Sequence, residues 1–213
     1  IDVVRLAENQ GLARALEAGL KVARHEIIAR ADADDVSLPQ RFAKQLPLMR
    51  GRDLIGSAIA EFEHDETQWG MIRVLPAQHQ DIAKTARFRD PFNHPTVFMR
   101  KSALERAGGY QHLDRMEDYW LFARMIASGA RTANIEEPLV AYRVGAGAYA
   151  RRGGHDLFDS ELELQRNLLR IGFVTPTQYL RNVVIRAGYR LIPTVVRKSL
   201  YQGVGTLSWF RRG

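Results

Sequence analysis

An apolar run at Glu26–Ala29 leads directly into an acidic loop that carries Asp32, Asp34 and Asp35. Three carboxylates this close together repel one another, so the loop needs a compensating cation or several hydrogen-bond donors. The apolar run has the length of a short buried strand, and open α/β sheets bind their ligands beyond the carboxyl ends of such strands. This segment therefore predicts a sheet with a polar site at one edge.

Helical and strand patterns alternate on both sides of the acidic loop. Apolar residues recur at helical spacing from Gly11 to Arg24 before the loop, and a helix through Leu46 with an early proline follows it. A strand pattern runs from Asp53 to Ile59. This alternation predicts an α/β fold with a mostly parallel sheet flanked by helices.

The same alternation continues further along the chain and then stops. Glu117–Ala127 has a helical pattern, and a last strand ends at Arg143. Glycines are frequent between residues 145 and 154, which indicates a flexible boundary. We therefore predict an α/β core at residues 1–150 and a helical, basic extension at residues 151–213.

The positive net charge of +7 lies in the extension, because residues from 181 onward hold seven Lys or Arg and no Asp or Glu. No aromatic stacking platform accompanies these cations, so we do not expect nucleic-acid binding. Arg186, Arg190 and Arg197 share one arc of a helical wheel, opposite an apolar side. Such a helix lies on an anionic membrane surface or packs on another helix, and the sequence leaves both alternatives open.

The chain contains no cysteine, which excludes disulfides and thiolate metal sites. No early segment is long and uncharged enough to be a signal peptide or a spanning helix. We expect a cytoplasmic protein, with peripheral attachment to the inner face of the membrane as the alternative. The opening Ile1–Val4 has the pattern of a strand end, which predicts a missing N-terminal piece.

Asp32 and Asp34 are one residue apart, so an extended backbone projects both carboxylates to the same side. Paired hard oxygen donors of this kind suit Mg²⁺ or Mn²⁺. A calcium EF-hand loop is excluded because Ser37 and Ala43 occupy the positions where that loop needs glycine and glutamate. The alternative is that the aspartates only cap the next helix and stabilise a turn.

Several sequence blocks together resemble family 2 glycosyltransferases of the GT-A, Rossmann-like fold, over about residues 5 to 145. Three blocks resemble the half that binds the nucleotide-sugar: Asn9–Leu12, Ala15–Leu20 and Ile28–Pro39. Four later blocks resemble the acceptor half: Asn93–Lys101, Ala107–Tyr110, Glu117–Leu121 and Glu137–Arg143. The order of the blocks also matches, which is more specific than any single block.

For the first half, the resemblance implies that Asp34 is a ligand of Mn²⁺ or Mg²⁺ and that Asp32 lies in the metal shell or near the ribose. It implies donor-sugar contacts for Asp35 and Arg30, whose alternative roles are a helix cap and a solvated cation. The helix start near Asn9 is expected to face the nucleotide. Members of the family normally begin with a strand and an aspartate that binds the nucleobase, and this segment is lacking here.

For the second half, the resemblance implies that Glu117 and Asp118 form the family's Glu-Asp motif, with Asp118 as the general base. Its alternative role is to complement the dipole of the helix that begins there. His94 is expected either in the site or as a satisfied core residue. Arg143 is expected either to bind diphosphate oxygens or to form a surface ion pair.

The resemblance implies an inverting transferase, of the hexosyltransferase type, that uses a nucleotide-diphospho-sugar in polysaccharide or cell-envelope glycan assembly. The implied acceptor is a glycan or a lipid-linked glycan, with a possible second contact between the basic extension and an anionic membrane. The alternative is a non-catalytic remnant that acts as a binding or membrane-associated module.

Overall fold

The computed structural model describes residues 2–145 and 155–187. The chain divides into two compact units, Ile1–Arg143 and Val144–Gly213. The first unit contains the sheet and the acidic loop, and the second is helical. Each is described by itself.

The first unit is built from α-helices, short 3₁₀ turns and β-strands. Its α-helices are α1 (Leu12–Val22), α2 (Arg41–Gln45), α3 (His79–Ala86), α4 (Lys101–Arg106) and α5 (Glu117–Ala127). Its strands are β1 (Ile27–Ala29), β2 (Val36–Ser37), β3 (Leu54–Phe62), β4 (Ile72–Arg73), β5 (Phe98–Arg100) and β6 (Thr132–Arg143). The 3₁₀ turns are Leu46–Met49 and His94–Thr96. The helix predicted at Glu117–Ala127 has the predicted bounds, and Gly129 follows it at a φ of 86°.

The sheet has the strand order β1-β5-β3-β6-β2, with β4 paired to β3 beside this path. The predicted α/β fold with flanking helices is confirmed, but the sheet is partly parallel rather than mostly parallel. In the described part of the chain only β3 and β6 pair in parallel, and every other pairing is antiparallel. The strands β1 and β3 do point the same way, as the alternation predicted. However, β5 lies between them and runs in the opposite direction.

The strand β3 forms the centre of the unit, and all nine of its residues are buried. Its alternating side chains separate two layers of the core. Leu54 packs with Leu121 and other residues of the helices α1, α3, α4 and α5, whereas Ile55 packs with Met49 and Phe98 on the other face. Burial on both faces explains why most residues of this strand are apolar, with Ser57 and Glu61 as buried polar exceptions.

The second unit contains α6 (His155–Arg170), α7 (Pro176–Asn182) and a π-helical turn (Val183–Ala187). Thr175 and Gln178 form a reciprocal capping box at the start of α7. Buried Glu161 accepts hydrogen bonds from Gln165 Nε2 at 3.1 Å and from Arg186 Nε at 2.8 Å. Within residues 183–187, Arg186 of the predicted basic arc is thus directed at α6, whereas Val184 and Ile185 of the apolar side are exposed. This arrangement matches neither predicted alternative, because packing on a helix was expected of the apolar side.

The other two arginines of the predicted basic arc, Arg190 and Arg197, lie outside the described residues. Among the helices of residues 2–145 and 155–187, none is long and apolar enough to cross a membrane.

Candidate active site

Arg30 is the cation that compensates the acidic loop. Its backbone amide donates to Val97 O at 2.9 Å, which continues the pairing of β1 and β5 by one residue. Its guanidinium forms an ion pair with Asp32 and also donates to Ala31 O. The Arg30 side chain is only 12% exposed, so the alternative of a solvated cation was wrong.

Buried Arg41 holds both ends of the acidic loop through hydrogen bonds. Its guanidinium donates to Arg30 O at 2.6 Å, to Ser37 Oγ at 2.8 Å and to Gln45 Oε1 at 3.1 Å. Gln45 in turn donates to Thr96 O at 2.8 Å. Burial lowers the pKa of Arg41 to about 10. Sequence reasoning missed Arg41, since it read this position only as part of an amphipathic helix.

Arg143 joins the end of β6 to the same loop. Its amide donates to Asp35 Oδ1 at 2.9 Å, and its Nε donates to Asp34 O at 3.1 Å. Its guanidinium carbon also lies 4.5 Å from the centre of the Phe62 ring. Arg143 thus holds backbone and carboxylate groups of the loop and forms no ion pair in the described part of the chain, so the predicted surface ion pair was wrong. Binding of diphosphate oxygens by Arg143 stays a prediction.

Asp35 shows how much negative charge the loop carries. Burial raises its pKa to about 6, the nearby Asp32 and Asp34 act in the same direction, and the amide of Arg143 opposes them. Its second carboxylate oxygen is buried without a hydrogen-bond partner. Asp34, in contrast, is exposed.

Asp118 lies in the first turn of α5, directly after a reversal in which Arg115 adopts a φ of 58°. One carboxylate oxygen accepts a hydrogen bond from the amide of Tyr119 at 2.7 Å, and the other lies 3.9 Å from His94 Nδ1. Burial raises the pKa of Asp118, whereas the charges of Arg30 and Arg73 lower it. Burial also raises the pKa of the adjacent Glu117.

His94 begins the 3₁₀ turn His94–Thr96. Its ring is 9% exposed, and Nε2 lies 2.8 Å from the hydroxyl of Tyr110. Burial lowers the pKa of His94 to about 3, with the charge of Arg30 acting in the same direction and that of Asp32 opposing it. The imidazole is therefore neutral at physiological pH and can only donate through one nitrogen and accept through the other.

The acidic loop and the first turn of α5 face a common region. The charges of Arg30 and Asp32 act on His94, and the charge of Arg30 also acts on Asp118. The contacts agree with this, because Arg30 pairs with Asp32 and donates its amide to Val97 O at 2.9 Å. Val97 directly follows the 3₁₀ turn that carries His94, and His94 Nδ1 lies 3.9 Å from Asp118. The structure thus brings together two blocks that are some 80 residues apart in sequence. Sequence reasoning also missed Arg73 of β4, whose charge reaches Asp118.

Asn9 precedes α1, and its predicted contact with the nucleotide stays a prediction. Its side chain accepts a hydrogen bond from the amide of Gly11 at 3.0 Å, just before α1, and it is exposed. In residues 2–145 and 155–187, no hydrogen bond joins it to the acidic loop.

The donor set of the loop fits a hard divalent cation with open coordination positions. Its carboxylates are oxygen donors, and the raised pKa of Asp35 indicates a surplus of negative charge that a cation would offset. Within the described ranges, no group of three or more acidic, His or Cys side chains is arranged to hold a metal.

The chain is similar in sequence to characterised families. Residues 1–108 match the model of "Glycosyl transferase family 2". An amylovoran biosynthesis glycosyltransferase of Erwinia amylovora is 38% identical over 94% of this chain and 76% of that protein. A UDP-Gal:alpha-D-GlcNAc-diphosphoundecaprenol beta-1,3-galactosyltransferase of Escherichia coli is 33% identical over 93% of this chain and 73% of that protein.

Solved structures agree with the fold. S. aureus TarS 1-349 in complex with UDP-GlcNAc superposes with a TM-score of 0.62 at 13% identity, over 86% of this chain and 54% of that chain. A mannosyltransferase of Pyrobaculum calidifontis in complex with GDP-Man and Mn²⁺ superposes with a TM-score of 0.59 at 16% identity, over 99% of this chain and 57% of that chain. The chain thus spans a little over half the length of these structures.

Proposed function

The chain belongs to glycosyl transferase family 2, and from this premise we propose that it moves a hexose from a nucleotide-diphospho-sugar to an acceptor hydroxyl with inversion at the anomeric carbon. The observation that supports this most directly is the common region shared by the acidic loop and Asp118. On one side of this region lie the carboxylates of the acidic loop, which we propose bind the metal and the donor. The other side carries a base next to a neutral histidine.

The acidic loop is proposed to hold the donor. Asp34 is exposed and Asp32 is partly exposed, so both carboxylates can reach a bound Mn²⁺ or Mg²⁺. When bound, this metal would neutralise charge on the departing nucleoside diphosphate. Arg30 already pairs with Asp32, and its guanidinium is placed to bind donor oxygens once that ion pair loosens.

Asp118 is proposed to be the general base. Asp118 Oδ2 lies 3.9 Å from His94 Nδ1, which is too far for a hydrogen bond. Burial raises the pKa of the carboxylate and so makes it a better proton acceptor. Asp118 takes the proton of the acceptor hydroxyl while that oxygen attacks the anomeric carbon from the face opposite the leaving group. The bond between the anomeric carbon and the diphosphate oxygen breaks, and the electron pair leaves with the nucleoside diphosphate.

The activities for which two relatives are named supply the substrate class that we propose. One relative acts in amylovoran biosynthesis, and another transfers galactose to a lipid-linked GlcNAc diphosphate. We propose that the present chain also works in polysaccharide or envelope glycan assembly, on a lipid-linked or glycan acceptor. We further propose that it acts on the cytoplasmic side of the membrane.

A panel of nucleotide-sugars tests the proposal, with transfer and donor affinity measured separately. We expect Asp118→Asn to reduce the transfer rate by about 10²–10⁴-fold and to bind the donor normally. We expect Asp34→Asn to weaken Mn²⁺-dependent donor binding itself. Asp81→Asn on α3 is the matched control, because Asp81 is exposed and pairs only with neighbouring Lys84. Turnover of Asp118→Asn at the wild-type rate would refute the assigned role.

A further inference from the structure

Two side chains on the neighbouring strands β3 and β4 carry buried polar atoms without a hydrogen-bond partner. Arg73 Nε and Glu61 Oε1 are both buried without a hydrogen-bond partner. In the described part of the chain, no side-chain hydrogen bond or ion pair involves the Arg73 guanidinium. An unsatisfied buried polar group destabilises the fold, so its retention indicates a partner that binds there.

Arg73 and Glu61 lie on the same face of the sheet. Ile59 of β3 is paired with Arg73 of β4, and Glu61 is two residues further along β3, so strand alternation places all three side chains on one side. The Arg73 guanidinium lies 5.7 Å from the ring of Tyr142, which is the β6 residue paired with Glu61. This stacking fixes the cation while leaving its N–H groups free for hydrogen bonds.

The pair lies beside the proposed base. The carbonyl of Arg73 accepts a hydrogen bond from Asn93 Nδ2 at 3.4 Å, and the same Nδ2 donates to Ser57 O at 2.9 Å. Asn93 directly precedes His94, whose ring faces Asp118. The strand β4 is thus attached to the turn that carries His94, and the charge of Arg73 is felt at Asp118.

We propose that Arg73 and Glu61 form an acceptor subsite that binds neighbouring hydroxyl groups of a neutral sugar. This inference rests on the proposed function, since it places the subsite next to the hydroxyl that Asp118 deprotonates. A guanidinium N–H donates to one sugar oxygen, and the carboxylate accepts the proton of another hydroxyl. A vicinal diol satisfies both groups at once.

The opposite charges of the pair select the class of acceptor. A uronic acid or a phosphorylated sugar would pair with Arg73 but would be repelled by the buried carboxylate of Glu61. A neutral hexose or N-acetylhexosamine meets no such repulsion. The subsite is therefore expected to favour neutral terminal sugars over anionic ones.

The first test measures acceptor and donor kinetics separately for Arg73→Gln and Glu61→Gln, with aryl glycosides of neutral hexoses as acceptors. Loss of one charge-assisted hydrogen bond is expected to raise the acceptor KM by about 10–100-fold, with the donor KM changed less than about twofold. Arg50→Gln is the matched control, because Arg50 is exposed and precedes β3 at the end opposite Glu61. An unchanged acceptor KM, or a change confined to the donor KM, overturns the proposal.

The conservative variant Arg73→Lys separates binding from electrostatics. Lysine keeps the charge that acts on Asp118 but lacks the Nε–H group. We expect Arg73→Lys to keep the wild-type pH dependence of transfer while its acceptor KM stays raised. A normal acceptor KM would show that Arg73 supplies charge alone and would overturn the subsite.

The second test does not need turnover. Saturation-transfer NMR with methyl glycosides, in the presence of UDP and diamagnetic Mg²⁺, is expected to show binding to the wild type and to Arg50→Gln but not to Arg73→Gln or Glu61→Gln. Equal binding by all four proteins, or by none, overturns the subsite. Glycoside binding by a wild type that transfers no sugar would instead contradict the proposed function. Unchanged thermal midpoints establish that each variant is folded.

Discussion

The buried histidine beside Asp118 gives the sharpest prediction for the folded state. Burial lowers the pKa of His94 to about 3, whereas an unfolded histidine titrates near 6.5. Below about pH 6.5 the unfolded chain therefore binds a proton that the folded chain excludes, and stability is lost as the pH falls toward the folded pKa. Between about pH 7.5 and pH 5 this single group is expected to remove about 2 kcal/mol from the free energy of unfolding.

The perturbation is His94→Gln, which removes the titrating group and keeps an amide that can bond the hydroxyl of Tyr110. Urea unfolding of wild type and variant at the two pH values gives the two losses of stability. We expect the wild type to lose about 2 kcal/mol more than the variant. The raised pKa of Asp118 acts with the opposite sign, but it is present in both proteins and largely cancels in the difference.

His25→Gln serves as the control, because His25 is exposed and its replacement is expected to leave the pH dependence unchanged. NMR of the wild type provides a direct check, since the His94 ring is expected to show no titration at or above about pH 5. Equal pH dependence of wild type and His94→Gln would refute the reasoning. A His94 titration near the ordinary value would refute it as well.

Four further substitutions test the stability of the fold. Asp35→Asn is expected to stabilise the metal-free protein at neutral pH by about 1–2 kcal/mol after allowance for solvent screening. The reason is that burial raises the pKa of Asp35 to about 6, so the ionised carboxylate destabilises the fold above that pH. A lower thermal midpoint of the variant would contradict this. Gly56→Ala is expected to cost about 1–3 kcal/mol, because the new methyl group would overlap Asn134 and Phe92. Gly19→Ala in α1 meets open space and is expected to stabilise by up to about 1 kcal/mol, so equal chemical denaturation midpoints for the two glycine variants would be the contrary result. Thr175→Ala is expected to cost about 1 kcal/mol through loss of the capping box, measured as faster amide exchange in α7, and unchanged exchange would count against it.

Local patterns in the sequence were sufficient to predict most of the elements. The helix at Glu117–Ala127 was predicted with its observed bounds, because an acidic first turn, a helical apolar stripe and Gly129 all act within a few residues. The central strand was predicted as well, although it extends three residues further, to Phe62. Its end depends on pairing with β6, which a local pattern does not contain.

Local patterns could not predict the order and direction of the strands or the contacts between side chains of the site. Nothing in the pattern of Phe98–Arg100 states that this strand lies between β1 and β3. The ion pair of Arg30 was missed because a lone arginine before three aspartates looks like a solvated residue. Arg73 was missed because β4 is only two residues long, and its importance depends on the fold that brings it near Asp118.

We propose that a single site binds the metal and the donor at the acidic loop and uses Asp118 as the base. An anomalous difference map from crystals grown with Mn²⁺ and a nucleotide-sugar tests it most directly. We expect a manganese peak on the carboxylates of Asp34 and Asp32, with Asp118 facing the anomeric carbon on the side opposite the diphosphate. A peak elsewhere, or a donor whose anomeric carbon is remote from Asp118, would contradict it.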